Sequence, residues 1–179
     1  PIKRRRGNSV EIVPPRIGVV VNVGVAHIGE FGSVDAIAAA KAELVQALPA
    51  DGLAVLNADD ERVRGMAALT AADVVTVGES READLRAIDV TLDERGRAEY
   101  MLLSSTGQVP VRLGISGRHH VGNSLLAAAI ALGEGMPLPD VGAALGDLRV
   151  VSTRRMDVFD RADGVTVIDD SYNANPDSA

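Results

Sequence analysis

The sequence predicts an α/β fold, in which a doubly wound, mostly parallel sheet carries a small antiparallel sheet and leads into a second α/β domain. Residues 17–23, IGVVVNV, form a continuous run rich in β-branched side chains, which is typical of a strand buried on both faces. Two further apolar runs alternate with helical segments, as in doubly wound sheets. Within residues 88–93 and 109–113, apolar and polar residues alternate, which indicates antiparallel strands with one buried face.

Local sequence signals predict where the helices of the parallel part begin. After the first strand and a glycine-containing loop, Ser33 can cap a helix. The turn LNADD places Asp59 and Asp60 where acidic residues favour the first turn of another helix. The predicted elements are a helix at about residues 34–48 and strands at residues 52–56 and 74–77.

The second half predicts antiparallel strands, two helices and a final strand pair. Gly96 and Gly107 mark the turns between the alternating segments. The predicted helices are residues 121–132 and 139–148, and the final strands are residues 156–159 and 165–168. The break between Leu148 and Thr153 predicts a domain boundary, which divides the chain into residues 1–150 and residues 151–179.

The composition restricts the possible functions. A chain of 179 residues that is 46% hydrophobic and 24% charged is typical of a globular protein. The net charge of -7 argues against nucleic acid or an anionic membrane as the main partner. No apolar run reaches the length of a membrane span, so we expect no membrane insertion. The absence of cysteine excludes disulfides and thiolate metal sites and agrees with a reducing cytoplasm.

Lys41 is the strongest chemical anomaly in the sequence. On a helix it falls inside an apolar stripe that contains Ile37, Leu44 and Leu48. A lysine that faces a core must extend to solvent, pair, lose its charge or be modified. Extension past small neighbours such as Ala38 is the ordinary explanation, and a modified, functional lysine is the alternative.

All three histidines lie in two loops. His27 follows the first strand and, with Glu30 nearby, could ligate a metal or contact phosphate, although a lone loop histidine more often does neither. His119 and His120 lie in GRHHVGN, which opens a helix whose backbone N–H groups attract anions. Together with Asn123 they offer polar groups to a nucleotide base or phosphate, and ordinary helix capping is the alternative.

The segment IDDSYNANPDS follows the last predicted strand. That strand ends in two adjacent carboxylates, Asp169 and Asp170, and the polar residues Tyr172, Asn173 and Asn175 come next. Ligands of parallel α/β sheets bind at the carboxyl ends of strands. The two carboxylates could hold ribose hydroxyls, a metal or nothing.

Two further charged pairs allow a functional or an ordinary explanation. Asp59 and Asp60 could be ligands, but helix capping also accounts for them. Arg154 and Arg155 precede the final strand pair and could contact a phosphate or be solvated. The sequence contains no Gly-x-x-x-x-Gly-Lys-Ser/Thr phosphate loop and no recognisable serine nucleophile elbow.

Five segments resemble, in order, the motifs of the Mur ligase family. They are VNVGVAHIGEFGSVDAIAAAKAEL, LNADD, GRHHVGNSLLAAAIAL, STRRM and IDDSYNANPDS. The resemblance implies a P-loop-like ATPase core that lacks its first strand and phosphate loop. Residues 1–150 would be a partial central ATP-binding domain, and residues 151–179 the start of the C-terminal domain.

The resemblance also implies roles for individual residues. The implied catalytic and metal-binding residues are His27, matching a histidine that ligates magnesium, and Lys41, matching the lysine that the family carbamoylates into a magnesium ligand. The implied nucleotide-binding residues are His119 and Asn123 beside the ATP base, Arg155 near the phosphates, Asp170 at the ribose, and Tyr172, Asn173 and Asn175 in a closing turn. His120 stands where the family usually has Asn, which leaves that contact with the base open.

The implied reaction is ATP- and Mg²⁺-dependent amide formation in peptidoglycan precursor synthesis, by a cytoplasmic monomer. The SYNANP form implies UDP-N-acetylmuramoyl-tripeptide as the carboxylate substrate, activated as an acyl phosphate, and D-alanyl-D-alanine as the amine. Because the phosphate loop is missing and no Glu precedes the basic residues 4–6, we expect the isolated chain to be inactive. The alternatives are another amide ligase of the superfamily or a non-catalytic nucleotide-binding remnant.

Overall fold

The computed structural model describes residues 15–24, 33–149 and 157–172. Its main sheet has six strands: β1 Ile17–Val20, β2 Leu53–Asn57, β3 Asp73–Gly78, β4 Leu85–Leu92, β5 Arg97–Ser104 and β6 Gly107–Ser116. They lie in the sheet in the order in which they occur in the chain. Strands β1 to β4 are parallel to one another, β5 is antiparallel to β4, and β6 is antiparallel to β5. The predicted antiparallel strands are therefore confirmed, and they continue the parallel sheet.

The two halves of the sheet are offset along the strand direction. Val77, near the end of β3, is opposite Leu85, the first residue of β4. Since β4 begins where β3 ends, the antiparallel strands extend beyond the carboxyl ends of β1 to β3. The turn between β4 and β5 therefore lies on the side of the sheet where the parallel strands end.

Helices cover both faces of the sheet, which confirms the doubly wound prediction. Their bounds are α1 Val34–Gln46, α2 Glu61–Gly65, α3 His120–Gly133 and α4 Leu138–Gly146, and a 3₁₀ turn, Met66–Leu69, follows α2. The consecutive residues Val55 and Leu56 of β2 point to opposite faces and are both fully buried. Val55 packs in the core with Leu125 of α3, whereas Leu56 packs in the core with Val45 of α1.

The helix starts follow the local rules that predicted them. Ser33 is the N-cap of α1, and its hydroxyl accepts the N–H of Ala36 at 3.1 Å. A separate antiparallel hairpin, β7 Asp157–Asp160 and β8 Thr166–Asp169, matches the predicted final strand pair. The predicted domain boundary falls largely on residues 150–156, outside the described residues, and stays a prediction. Within the described ranges, none of the helices is long and apolar enough to cross a membrane.

Candidate functional site

Lys41 lies at the carboxyl end of β1. Its half-buried side chain extends from α1, and Nζ donates a hydrogen bond to the carbonyl oxygen of Asn22 at 2.5 Å. The preceding carbonyl, that of Val21, accepts from Nδ2 of Asn57 at 2.8 Å. The lysine therefore extends out of the apolar stripe and binds a backbone oxygen at the edge where the parallel strands end. Asn22 and Asn57 were not among the residues singled out from the sequence.

Asp60 joins the end of β1 to the start of α2. One carboxylate oxygen accepts the N–H of Val23 at 2.6 Å. The other accepts the N–H groups of Arg62 and Val63 at 2.9 and 3.2 Å, which caps the helix. Helix capping, one of the two explanations open from the sequence, thus accounts for one of its two oxygens.

Asp59 joins the end of β2 to the end of β3. Its two oxygens accept the N–H groups of Glu79 and Ser80, each at 2.9 Å. Gly78 comes so close that a Cβ at this position would lie 2.6 Å from Oδ1 of Asp59. A side chain at residue 78 would displace the carboxylate, so this turn requires glycine. The Asp59–Asp60 dipeptide therefore links the ends of three parallel strands.

The segment GRHHVGN begins α3 on the same side of the sheet. Gly117 has φ +119°, a conformation that favours glycine, and its N–H donates to the carbonyl of Gly96 at 2.8 Å. The rings of His119 and His120 follow, with centroids 4.1 Å apart. His119 and Asn123 are exposed, and His120 is half-buried.

Arg118 connects this segment to the end of β3. Its two terminal nitrogens, Nη1 and Nη2, each donate to one oxygen of Glu79, at 2.9 and 3.0 Å. These bonds raise the pKa of Arg118. Sequence reasoning missed both residues, although Arg118 lies inside a motif and Glu79 directly follows a strand end.

The end of β8 approaches the start of α3. Burial lowers the pKa of His120, the charge of His119 lowers it further, and the carboxylate of Asp170 opposes both. The neighbouring Asp169 accepts hydrogen bonds from the N–H and hydroxyl of Ser171, at 3.1 and 2.6 Å. The structure therefore brings together His120 and Asp170, two residues that sequence analysis found in separate motifs.

A cleft of about 450 Å³ separates the β7–β8 hairpin from the main sheet. Gly117 and Arg118 line one side, and Val158 and Ile168 line the other. At its rim Arg95, in the turn between β4 and β5, forms an ion pair with Asp160 of β7 at 3.1 Å. An ion pair thus ties the hairpin to the turn between β4 and β5.

A buried hydrogen bond fixes α3 against the sheet. The phenol of Tyr100 in β5 and the hydroxyl of Ser124 in α3 are 2.7 Å apart, and both residues are 4% exposed. Ser124 also donates to the carbonyl of Val121 at 2.7 Å. Burial raises the pKa of Tyr100 to about 12, although the bond to Ser124 acts in the opposite direction.

Several predicted site residues lie outside the described residues, namely His27, Arg155, Asn173 and Asn175. Tyr172, the last described residue, is 63% exposed. Within the described ranges, no three His, Asp or Glu side chains form a group that could hold a metal ion. Lys41 carries an ammonium there, which does not fit Mg²⁺ because it presents protons instead of a lone pair.

Fold and motifs agree with comparisons to known proteins. The Mur ligase middle domain family matches residues 3–131, so this chain belongs to the Mur ligase family. The UDP-N-acetylmuramoyl-tripeptide–D-alanyl-D-alanine ligase of Mycobacterium tuberculosis is 54% identical over 178 residues, which are 98% of this chain and 35% of that enzyme. The Escherichia coli enzyme of the same name is 32% identical over 169 residues, 93% of this chain and 37% of that enzyme.

A solved structure of MurF from Acinetobacter baumannii has the same fold. It superimposes with a TM-score of 0.86 at 32% identity, and the match covers 95% of this chain and 37% of that one. The chain thus spans little more than a third of the length of the relatives that it matches.

Proposed function

We propose that this chain contributes the middle domain and the start of the C-terminal domain to an ATP-dependent ligase. That ligase joins D-alanyl-D-alanine to UDP-N-acetylmuramoyl-tripeptide in peptidoglycan precursor synthesis. The observation that carries this proposal is the 54% identity to an enzyme of that name over 98% of the chain. Residues 1–150 form part of the ATP-binding domain, and residues 151–179 begin the domain that closes on it.

The start of α3 is the proposed nucleotide site. The N-terminus of a helix carries a partial positive charge, which favours a negatively charged ligand. His119 and Asn123 add exposed polar groups there, and we assign them to the base. We assign the ribose hydroxyls to Asp170, and its charge, which acts on His120, supports that assignment. Arg155, Tyr172, Asn173 and Asn175 complete this assignment from the family resemblance.

Lys41, which lies beside the end of β1, is the proposed functional lysine. As an ammonium it binds the carbonyl of Asn22 and is no ligand for a cation. Carbamoylation would replace that charge by a carboxylate-like group, which fits the oxygen preference of Mg²⁺, with His27 as a further ligand. When bound, Mg²⁺ would neutralise phosphate charge during transfer.

The reaction forms an amide in two steps. First, an oxygen of the tripeptide carboxylate attacks the γ-phosphorus of ATP, ADP leaves, and an acyl phosphate results. Second, the amine of D-alanyl-D-alanine attacks the acyl carbon, inorganic phosphate leaves, and the nitrogen loses a proton. Both steps gather negative charge at one place, so catalysis depends on positioning and on nearby positive groups.

The test measures phosphate release by the full-length protein with ATP, UDP-N-acetylmuramoyl-tripeptide and D-alanyl-D-alanine. We expect release to depend on all three substrates, and Lys41→Ala to abolish it. Arg16→Ala is the control, because it removes an exposed positive charge near Asp51, at the opposite end of β1. Release driven equally by L-alanine would contradict the proposed amine substrate, and a fully active Lys41→Ala protein would remove the carbamate role.

A further inference from the structure

We propose that Glu79 and Arg118 act together as positioning residues that hold the start of α3 in its nucleotide-binding arrangement. The inference rests on the proposed function only in placing the nucleotide at this helix start. It assigns a role to two residues that are 39 positions apart in the sequence. Both lie outside the set that the family resemblance implies.

The backbone of Glu79 is fixed at the end of β3. Its N–H and that of Ser80 both donate to the carboxylate of Asp59 at 2.9 Å. Gly78 leaves no space between the strand end and this carboxylate. Hydrogen bonds to an ionised acceptor are about twice as strong as neutral ones. The turn that carries Glu79 is therefore a rigid support at the end of β3.

Glu79 in turn fixes both the position and the orientation of Arg118. Two nearly equal bonds, at 2.9 and 3.0 Å, join the two terminal nitrogens of Arg118 to the two carboxylate oxygens. This bidentate geometry defines a plane as well as a distance. On the other side of Arg118, the N–H of Gly117 is bound to the carbonyl of Gly96. The loop is therefore held from two sides immediately before His119.

The ion pair affects binding more than stability. The side chains of Arg118 and Glu79 are 54% and 41% exposed, so the pair is screened by solvent and adds little to global stability. A contact of this kind can still affect binding, because a small misplacement of the groups that touch a ligand measurably weakens the binding of that ligand. We therefore expect its loss to change nucleotide affinity while leaving the unfolding midpoint nearly unchanged.

A direct contact between Arg118 and a phosphate is the competing explanation, and it predicts results of opposite sign. Glu79 would then compete with the phosphate for the guanidinium, so Glu79→Gln would tighten nucleotide binding. If the pair is a positioning device, Glu79→Gln and Arg118→Gln both weaken binding. Combining Glu79→Arg with Arg118→Glu would restore a positioning pair with reversed charges. If Arg118 instead contacts a phosphate directly, the same exchange would place a carboxylate against that phosphate and weaken binding.

The experiment measures the dissociation constant of ATP by calorimetry on the full-length protein. We expect Glu79→Gln and Arg118→Gln each to raise it roughly three- to tenfold, a change that corresponds to the loss of one modest interaction. We expect the double variant to be no worse than either single variant, because both remove the same contact. The charge-reversed pair should recover most of the affinity.

Arg16→Gln is the matched control, because it breaks another exposed ion pair, with Asp51, at the opposite end of β1. It should leave the dissociation constant unchanged. Tighter binding by Glu79→Gln, additive losses in the double variant, or no effect of either single variant would each overturn the positioning role. Absence of ATP binding by the unaltered protein would instead overturn the proposed function, and this inference with it.

Discussion

The hydrogen bond between Tyr100 and Ser124 allows a quantitative prediction, because the two partners are not equivalent. The hydroxyl proton of Ser124 is used in its bond to the carbonyl of Val121, so the phenol of Tyr100 is the donor in the bond between them. Tyr100→Phe therefore removes one net hydrogen bond and leaves Ser124 with a partner. Its expected cost is about 0.5–1.5 kcal/mol of unfolding free energy.

Ser124→Ala should cost more than Tyr100→Phe, although each substitution removes a single hydroxyl group. It leaves a phenol that is 4% exposed without its partner, and an unsatisfied buried polar group costs about 1–3 kcal/mol. The double variant should be less destabilised than the sum of the single variants, because it removes the donor and the acceptor together. Urea unfolding followed by circular dichroism measures all three values.

The control is Tyr172→Phe, at a position that is 63% exposed, and it should leave the unfolding free energy nearly unchanged. Because the chain contains only two tyrosines, an absorbance titration can resolve the ionisation of Tyr100, whose pKa burial raises to about 12. The neutral phenol stabilises the fold up to about pH 10, and this contribution is lost as the pH rises towards 12. If Ser124→Ala cost less than Tyr100→Phe, the assignment of donor and acceptor would be wrong, and additive costs would mean that the two hydroxyls do not interact.

Three further predictions concern the surrounding contacts. Gly78→Ala should cost about 1–3 kcal/mol of unfolding free energy in the same urea assay, because its Cβ would displace the Asp59 carboxylate from its N–H partners; Gly65→Ala, with open space around it, is the control and should not destabilise. Since the folded state lowers the pKa of His120, the unfolding free energy should decrease as the pH falls below about 6.5, and His120→Gln should remove that slope. The hydrogen bond from Arg97 lowers the pKa of Asp93 to about 2, so stability present above about pH 4 should be lost towards pH 2, and an acid titration of Asp93→Asn should lack this loss.

The parts of the fold that were predictable are those that depend on local chemistry. The cap at Ser33 follows from one side chain and the nearby N–H groups, and it is present. The anomaly of Lys41 follows from helical periodicity, but the carbonyl of Asn22 that it contacts belongs to another element. A sequence pattern specifies which face of the helix a residue occupies, but it does not specify which backbone atom of another element the side chain will contact.

The end of the first strand shows why element boundaries were harder to predict. The apolar run extends to Val23, but β1 ends at Val20. Beyond it, the carbonyl of Val21 binds Asn57 and the N–H of Val23 binds Asp60, so side chains replace the β-ladder. Long-range side-chain contacts of this kind, like that between Glu79 and Arg118, leave no periodic signal in the sequence.

The sequential order of the strands has a consequence for how the chain folds during synthesis. Among the described strands, each of β2 to β6 pairs with the strand made just before it, so its partner has already been synthesised. From β3 onwards the connections between paired strands are six, four and two residues long, which keeps the entropic cost of closing them small. The sheet can therefore grow from β1 to β6 by addition at one edge. The helix that carries the proposed nucleotide site is made only after that edge is complete.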